Sequence, residues 1–270
     1  MPTRPESGSQ PIDVLIPAVE KDLGTLPHVI DAIRRHVRHP LGEIVVVAPE
    51  SARIRGLCRE KGCRYVDERT VLPLAKRDIR YRSASWDRSG WLYQQLLKLN
   101  GDAVCRRDFL VADADTVFIR PHVFRSGGRT VFYSRDWSQP EYFRMYRRLL
   151  GRNPRAPHSL VTHYMLFERS KLRRLKRAIE TRHGVPWYAA ILRLVDTRKP
   201  FGFSEYETYG NFAYSLRPSG YLIRPSRNRS LAGSPDAIPG RKLARLARAY
   251  RSLSFHKRHV YRRRSHPSAD

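Results

Sequence analysis

Apolar positions fall into two rhythms along this chain, and the alternation between them lays out the fold. Ile12-Asp13-Val14-Leu15-Ile16-Pro17 is a short apolar run closed by proline, as expected of a buried strand that enters a loop. From Leu26 to Val37 the apolar residues are Leu26, Val29, Ile30, Ile33 and Val37, with Arg34, Arg35 and Arg38 opposite. That spacing predicts a helix with one buried face. Glu43–Ala48 predicts a second buried strand, and Ser51–Gly62 a short helix with Ser51 as N-cap and Gly62 just past its end. Arg64–Asp67 predicts a third strand. A β-α-β-α-β series with right-handed crossovers makes an α/β fold on a mostly parallel central sheet with helices on both faces.

The pattern weakens from Glu68 to Asp87, which predicts loop, and recovers helical spacing over Trp86–Leu99 through Leu92, Gln95, Leu96 and Leu99. Asp108–Ala112 predicts the next buried strand and Thr130–Tyr133 another. A helix over Pro140–Leu150, a strand-like run over Leu160–Phe167 and a strongly basic helix over Ser170–Arg182 follow. Between Arg241 and Arg264 lie an amphipathic basic helix and the short segment Ser252–His256. Residues 1–10 are expected to be a disordered leader and 261–270 a basic disordered tail, leaving a single domain over 11–260. No internal repeat is visible.

With 41% hydrophobic residues in 270, a sizeable core is feasible. Cys58, Cys63 and Cys105 are too few and too irregularly spaced for a disulfide scaffold or a zinc site, and fit a reducing compartment. Residues 1–10 are polar, and the first apolar run is too short for a signal segment or a membrane span. The expected location is therefore cytoplasmic, with peripheral attachment at the inner membrane face as an extension of it. The formal charge of +27 comes mostly from arginine, 43 of the 52 basic residues once nine lysines are subtracted. Such a surface attracts polyanions of any kind, and the same bias also arises from genome composition.

The sharpest chemical signal is Asp113-Ala114-Asp115, directly after the Asp108–Ala112 run. Alternate side chains of an extended segment share a face, so both carboxylates can converge on one ion once the chain turns. Hard divalent cations take oxygen ligands and fill their shell with substrate phosphates. Open α/β sheets bind ligands beyond the carboxyl ends of their strands. The competing reading is a pair of loop aspartates that cap the next turn.

Four segments, Asp13–Pro17, Glu43–Pro49, Trp91–Leu99 and Leu110–Pro121, carry a resemblance to the nucleotide-sugar half of GT-A glycosyltransferases. With Thr162–Phe167 and Ser204–Phe212, they also resemble a narrower bacterial family of glycosyltransferase-like proteins of unassigned specificity. The likeness spans roughly residues 12–260 and implies a Rossmann-like GT-A fold, with 11–121 as nucleotide-sugar half and 122–260 as acceptor half. It further implies a nucleotide-sugar donor bridged by Mn²⁺ or Mg²⁺ on Asp113 and Asp115. A C-terminal histidine often supplies a third ligand in such enzymes; His256 is the best match, with His259 close by.

A sugar leaving a nucleoside diphosphate needs its leaving group neutralised, by the metal and by a cation such as Lys98 or Arg88. Asp13, Pro17 and His163 complete the expected donor contacts. An inverting reaction also needs a carboxylate base for the acceptor. Glu205 is preferred and Glu207 second, in a segment where Tyr206, Tyr209 and Phe212 read as a sugar-stacking wall and Gly210 as a turn. A retaining reaction needs no such base. The acceptor is read as a saccharide or a lipid-linked molecule, with the surface charge pointing to an anionic or membrane-bound one. Rival readings are a metal-dependent nucleotidyl- or phosphotransferase and a non-catalytic polyanion-binding protein. No helix-turn-helix, zinc-finger or RNP-type motif is present, so no specific nucleic-acid partner is expected. The basic helix after Arg241 is either an interfacial membrane helix or a surface helix whose Leu243, Leu246 and Tyr250 pack on the core.

Overall fold

The computed structural model describes residues 10–255. In chain order the elements are β1 (Ile12–Pro17), α1 (Leu26–His36), β2 (Leu41–Ala48), α2 (Ala52–Glu60), β3 (Arg64–Asp67) and α3 (Ser89–Leu99). Then come β4 (Phe109–Ala112), β5 (Thr116–Phe118), β6 (Arg125–Ser126), β7 (Arg129–Ser134), α4 (Pro140–Leu150) and β8 (Tyr164–Phe167). The chain continues through α5 (Arg169–His183), α6 (Trp187–Leu194), α7 (Glu205–Leu216), β9 (Tyr221–Pro225), β10 (Asn228–Ser230), α8 (Gly240–Ala249) and β11 (Ser252–Ser254).

The central sheet has the order β3-β2-β1-β4-β8. Its first four strands run parallel, and β8 closes the edge antiparallel to β4. Alternation along each strand feeds two cores. Leu15, Val45, Val47, Phe109 and Val111 face the apolar sides of α3, α5 and α7. Val14, Ile16, Ile44, Val46 and Leu110 face α1 and α2. This is the α/β architecture that the strand and helix spacing predicts, with helices on both faces.

Local signals set the boundaries. The Ser51 hydroxyl accepts from Ile54 N–H and starts α2. Pro140 opens α4, and Gly151, at φ +68°, ends it in the left-handed conformation that glycine takes freely. Two expectations change. Only Tyr164–Phe167 of the Leu160–Phe167 run pairs as a strand, because Ser159 and Leu160 are bonded instead to the Glu207 carboxylate. Gly210 makes no turn: it lies inside α7, where a Cβ would stand 2.6 Å from Leu160 Cδ1, so its role is close packing against the segment before β8.

Two smaller sheets, β10-β11-β5 and β6-β7-β9, flank the central one. The first brings the end of the described chain back beside β5, with Ser254 opposite Thr116. α8 rests on that sheet through Leu246, Ala247 and Tyr250, which pack against Ile119, Leu253 and Phe255. The apolar stripe of α8 therefore meets the core, while Arg241, Lys242, Arg245 and Arg248 stay exposed beside Leu243. Among the described residues no helix is long and apolar enough to cross a membrane.

Candidate metal and donor site

β1 lies between β2, which precedes it in the sheet order, and β4, which returns on its other side. This is the switch point where open α/β sheets bind ligands. Asp113 and Asp115 sit there, immediately past the carboxyl end of β4. Their backbone is tied on several sides. Asp113 N–H donates to His163 O at 2.9 Å, Thr25 Oγ1 to Ala114 O at 2.8 Å, and Phe255 N–H to Asp115 O at 2.9 Å. A tight turn, Thr116 N–H to Asp113 O at 3.2 Å, then starts β5.

The Asp113 carboxylate is heavily engaged. Its Oδ1 accepts from Lys98 Nζ at 2.5 Å and from the Tyr206 hydroxyl at 3.1 Å. Its Oδ2 meets His163 Nδ1 at 3.0 Å. The other His163 nitrogen faces the Arg135 guanidinium, which can only donate, so Nδ1 carries the proton shared with Asp113. Lys98 also donates to Glu205 Oε1 at 2.8 Å, and its ammonium stands 4.7 Å over the Tyr206 ring.

Electrostatics follow from this wiring. Burial pushes the Asp113 carboxyl up, but the Lys98 ammonium and His163 outweigh it and hold the group below the usual carboxylate range. Burial opposes the charged form of Lys98, and the two carboxylates reverse that and raise its pKa. Glu205 is raised by burial that Lys98 offsets only in part. Asp22, in the turn after β1, is raised first by burial, with Asp115 and Asp113 adding to it.

Ligand atoms of Asp113, Asp115 and His163 lie within 4.8 Å of one another. Two ligands of one ion, each about 2.2 Å from it, stand at most about 4.4 Å apart. The group therefore fits a divalent cation after shifts of a few tenths of an ångström. The two carboxylates are oxygen donors of the kind a hard divalent cation takes.

Of the residues singled out from the sequence, the fold brings together Asp113, Asp115, Lys98, His163 and Glu205. Pro17 is nearby at the end of β1, where its carbonyl accepts from Gln94 Nε2 of α3 at 3.3 Å. Asp13 does not join them. Fully buried at the start of β1, it accepts from the backbone N–H groups of Glu43, Arg106 and Arg107 and from the Arg107 guanidinium, at 2.9–3.1 Å. It locks the opposite end of the parallel strands, and Gly42 is needed beside it because a Cβ there would stand 2.2 Å from its carboxylate.

Glu207 is likewise structural: the carboxylate is fully buried and binds Ser159 Oγ at 2.7 Å, Leu160 N–H at 3.4 Å and Asn211 Nδ2 at 2.7 Å. Glu205 is 3% exposed and closed off by Lys98, which removes it as a base for an incoming acceptor. Lys98, also 3% exposed, spends its charge on Asp113 and Glu205 rather than on a diphosphate. Arg88 precedes α3, and its guanidinium lies 4.0 Å over Trp91 and 4.3 Å over Phe201. His256 lies outside the described residues.

Sequence reasoning missed Tyr206 as a donor to Asp113, because an aromatic between two glutamates reads as a wall or as core. It also missed Asp22, Arg135 and Gln95, whose Oε1 accepts the Glu205 N–H at 3.1 Å. Only Asp22 left a local trace, as a polar turn just past a strand that ends in Pro17.

A family model described as a family of unknown function, DUF6492, matches residues 12–224. No curated protein matches the chain. Among solved structures, the chain is similar to mouse xyloside xylosyltransferase 1 in its apo form, at 14% identity and a TM-score of 0.49, over 92% of this chain and 99% of that one. The galactosyltransferase LgtC, in complex with donor and acceptor sugar analogues, aligns at 13% identity and a TM-score of 0.45, over 90% and 87%. Glucosyl-3-phosphoglycerate synthase from Mycobacterium tuberculosis, with Mn²⁺, UDP and glucosyl-3-phosphoglycerate, aligns at 16% identity and a TM-score of 0.38, over 80% and 70%.

Proposed function

This chain belongs to DUF6492, a family of unknown function, and we propose that it is a metal-dependent glycosyltransferase that uses a nucleotide-sugar donor. The supporting observation is the convergence of Asp113, Asp115 and His163 within 4.8 Å at the switch point of the sheet. A divalent cation bound there supplies Lewis-acid neutralisation of a departing diphosphate. Asp113 and Asp115 hold it, and His163 orients Asp113. Arg135, bonded to His163, sets a guanidinium beside the cluster, a group whose fork of donors suits diphosphate oxygens. The chain runs from Phe255, bonded to Asp115 O, directly into His256, which we count as a further ligand.

Glu205 and Glu207 are both committed to internal partners, so neither is assigned as a base. This leaves a retaining reaction as the simpler chemistry. The acceptor is read as a saccharide linked to an anionic or membrane-bound carrier, on the strength of the exposed cations of α8 beside the site's returning strand. The test is a thermal-shift screen of nucleotide sugars with Mn²⁺, followed by product analysis with the stabilising donor. Release of free nucleoside diphosphate supports the reading. Release of pyrophosphate instead assigns a nucleotidyltransferase.

A further inference from the structure

Lys98 is the least expected member of the site, because a buried ammonium at 2.5 Å from a metal-binding carboxylate competes with the metal. Asp113 can lend its charge to a divalent cation only if that competition is weakened. The fold places a second carboxylate against the same ammonium. Glu205 is the first residue of α7, set in place by the Ser204 cap on Glu207 N–H and by its own N–H bonded to Gln95 Oε1 of α3. Its Oε1 receives Lys98 Nζ at 2.8 Å, and both side chains are 4% exposed. Each of the two charges is thus held by the α3–α7 contact.

We propose that Glu205 is a positioning residue that shares the charge of Lys98 and so leaves Asp113 able to hold a divalent cation. This rests on the metal reading above, and it replaces the expectation that Glu205 serves as a base. Without Glu205, Lys98 keeps Asp113 as its one carboxylate partner among the described residues, and an incoming cation faces a full positive charge at that distance. Together, Lys98 and Glu205 cancel. Removing both therefore leaves the field at the metal position nearly as it was, whereas removing Glu205 alone makes it more positive.

The experiment is calorimetric titration of the full chain with Mn²⁺ alone and with Mn²⁺ plus UDP, with thermal melts on every variant. Glu205→Gln keeps the shape of the side chain and removes its charge. It is expected to bind Mn²⁺ about tenfold more weakly than wild type or worse, the scale on which supporting residues act at metal sites. The paired change Lys98→Met with Glu205→Leu is expected to bind within about threefold of wild type, since an apolar pair can replace a buried ion pair.

Unchanged affinity in Glu205→Gln overturns the inference. So does a double variant as weak as the single one, which would mean that Glu205 acts independently of Lys98. If Glu205→Gln does not fold, the double variant decides against wild type: Mn²⁺ binding within about threefold supports the inference, and binding about tenfold weaker overturns it. Failure of the wild type to bind Mn²⁺ under either condition is a different result, and it removes the metal reading itself together with this inference.

Discussion

The Phe255 N–H donates to the Asp115 carbonyl at 2.9 Å, across 140 residues of sequence. The strand pairing that sets this bond, Ser254 opposite Thr116, delivers the end of the described chain to the second aspartate of the pair. The next residue is His256. Replacing it with alanine is expected to weaken Mn²⁺ affinity about 10–100-fold, read by calorimetry. An affinity within twofold of wild type removes His256 from the ligand set and leaves Asp113 and Asp115 as the protein ligands.

Glu207 is expected to matter for stability and not for the metal. Its carboxylate satisfies Ser159, Leu160 and Asn211 in a fully buried place, so Glu207→Leu leaves three donors without their acceptor. A loss of about 3 kcal/mol follows from orphaning buried polar groups, seen as a lowered denaturant midpoint. Mn²⁺ affinity of the folded variant should stay within twofold of wild type. A large drop in affinity with an unchanged midpoint contradicts this and returns Glu207 to the site.

His122 gives the fold a built-in sensitivity to acid. Its ring is fully buried, stacked 4.0 Å from Phe118, and bonded to the Arg120 carbonyl at 2.8 Å and to the Tyr164 hydroxyl at 3.1 Å. Burial first, and the Arg251 charge second, pull its pKa from 6.5 down to about 3. The unfolded chain therefore takes up the proton first. Stability from this group is complete above about pH 6.5 and falls as the pH drops towards about 3, at about 1.4 kcal/mol per pH unit. His122→Phe should be less stable at pH 7.5, having lost two hydrogen bonds. It should also lose stability less steeply than wild type between pH 6.5 and 4.5, as read from melting temperatures. Parallel pH profiles for the two proteins contradict the assignment.

The layout of the central sheet was legible in the sequence, because β1, β2 and β4 are short apolar runs and α1 and α3 keep a clear apolar face. The aspartate pair was legible for the same reason, since a strand pattern ended directly before Asp113. What surrounds the pair was not. Lys98, His163 and Tyr206 converge on one carboxylate from α3, the segment before β8, and α7, and nothing local marks that meeting. The misreading of Asp13 has a physical cause too: a strand pattern shows which residues are buried but not which end of the sheet binds ligand. Glu205 and Glu207 look equivalent in sequence, yet two steps along a helix turn them to opposite partners, Lys98 and Asn211.

The cationic face of α8 is expected to bind an anionic membrane through charge rather than insertion, since Leu246, Ala247 and Tyr250 are already packed on the core. Each cation near an anionic leaflet contributes about 1 kcal/mol. Replacing Arg241, Lys242, Arg245 and Arg248 with glutamine should weaken binding to phosphatidylglycerol vesicles at least tenfold at low salt, measured by co-sedimentation. Equal sedimentation of the two proteins, or equal binding to phosphatidylcholine, contradicts a role for α8.

The central claim is that Asp113 and Asp115 hold a divalent cation that in turn holds a nucleoside diphosphate. Its most direct measurement is calorimetric titration of UDP and GDP into wild type, Asp113→Ala and Asp115→Ala, each with Mn²⁺ and with EDTA. Wild type should bind one of the nucleotides in Mn²⁺ and lose that binding in EDTA, and both variants should behave with Mn²⁺ as wild type does without it. Asp115→Ala should keep its melting temperature within a few degrees, since its side chain is partly exposed. Asp113→Ala should melt lower, because Lys98 and Tyr206 lose their acceptor. Nucleotide binding that survives in EDTA, or that is unchanged in both folded variants, contradicts the account.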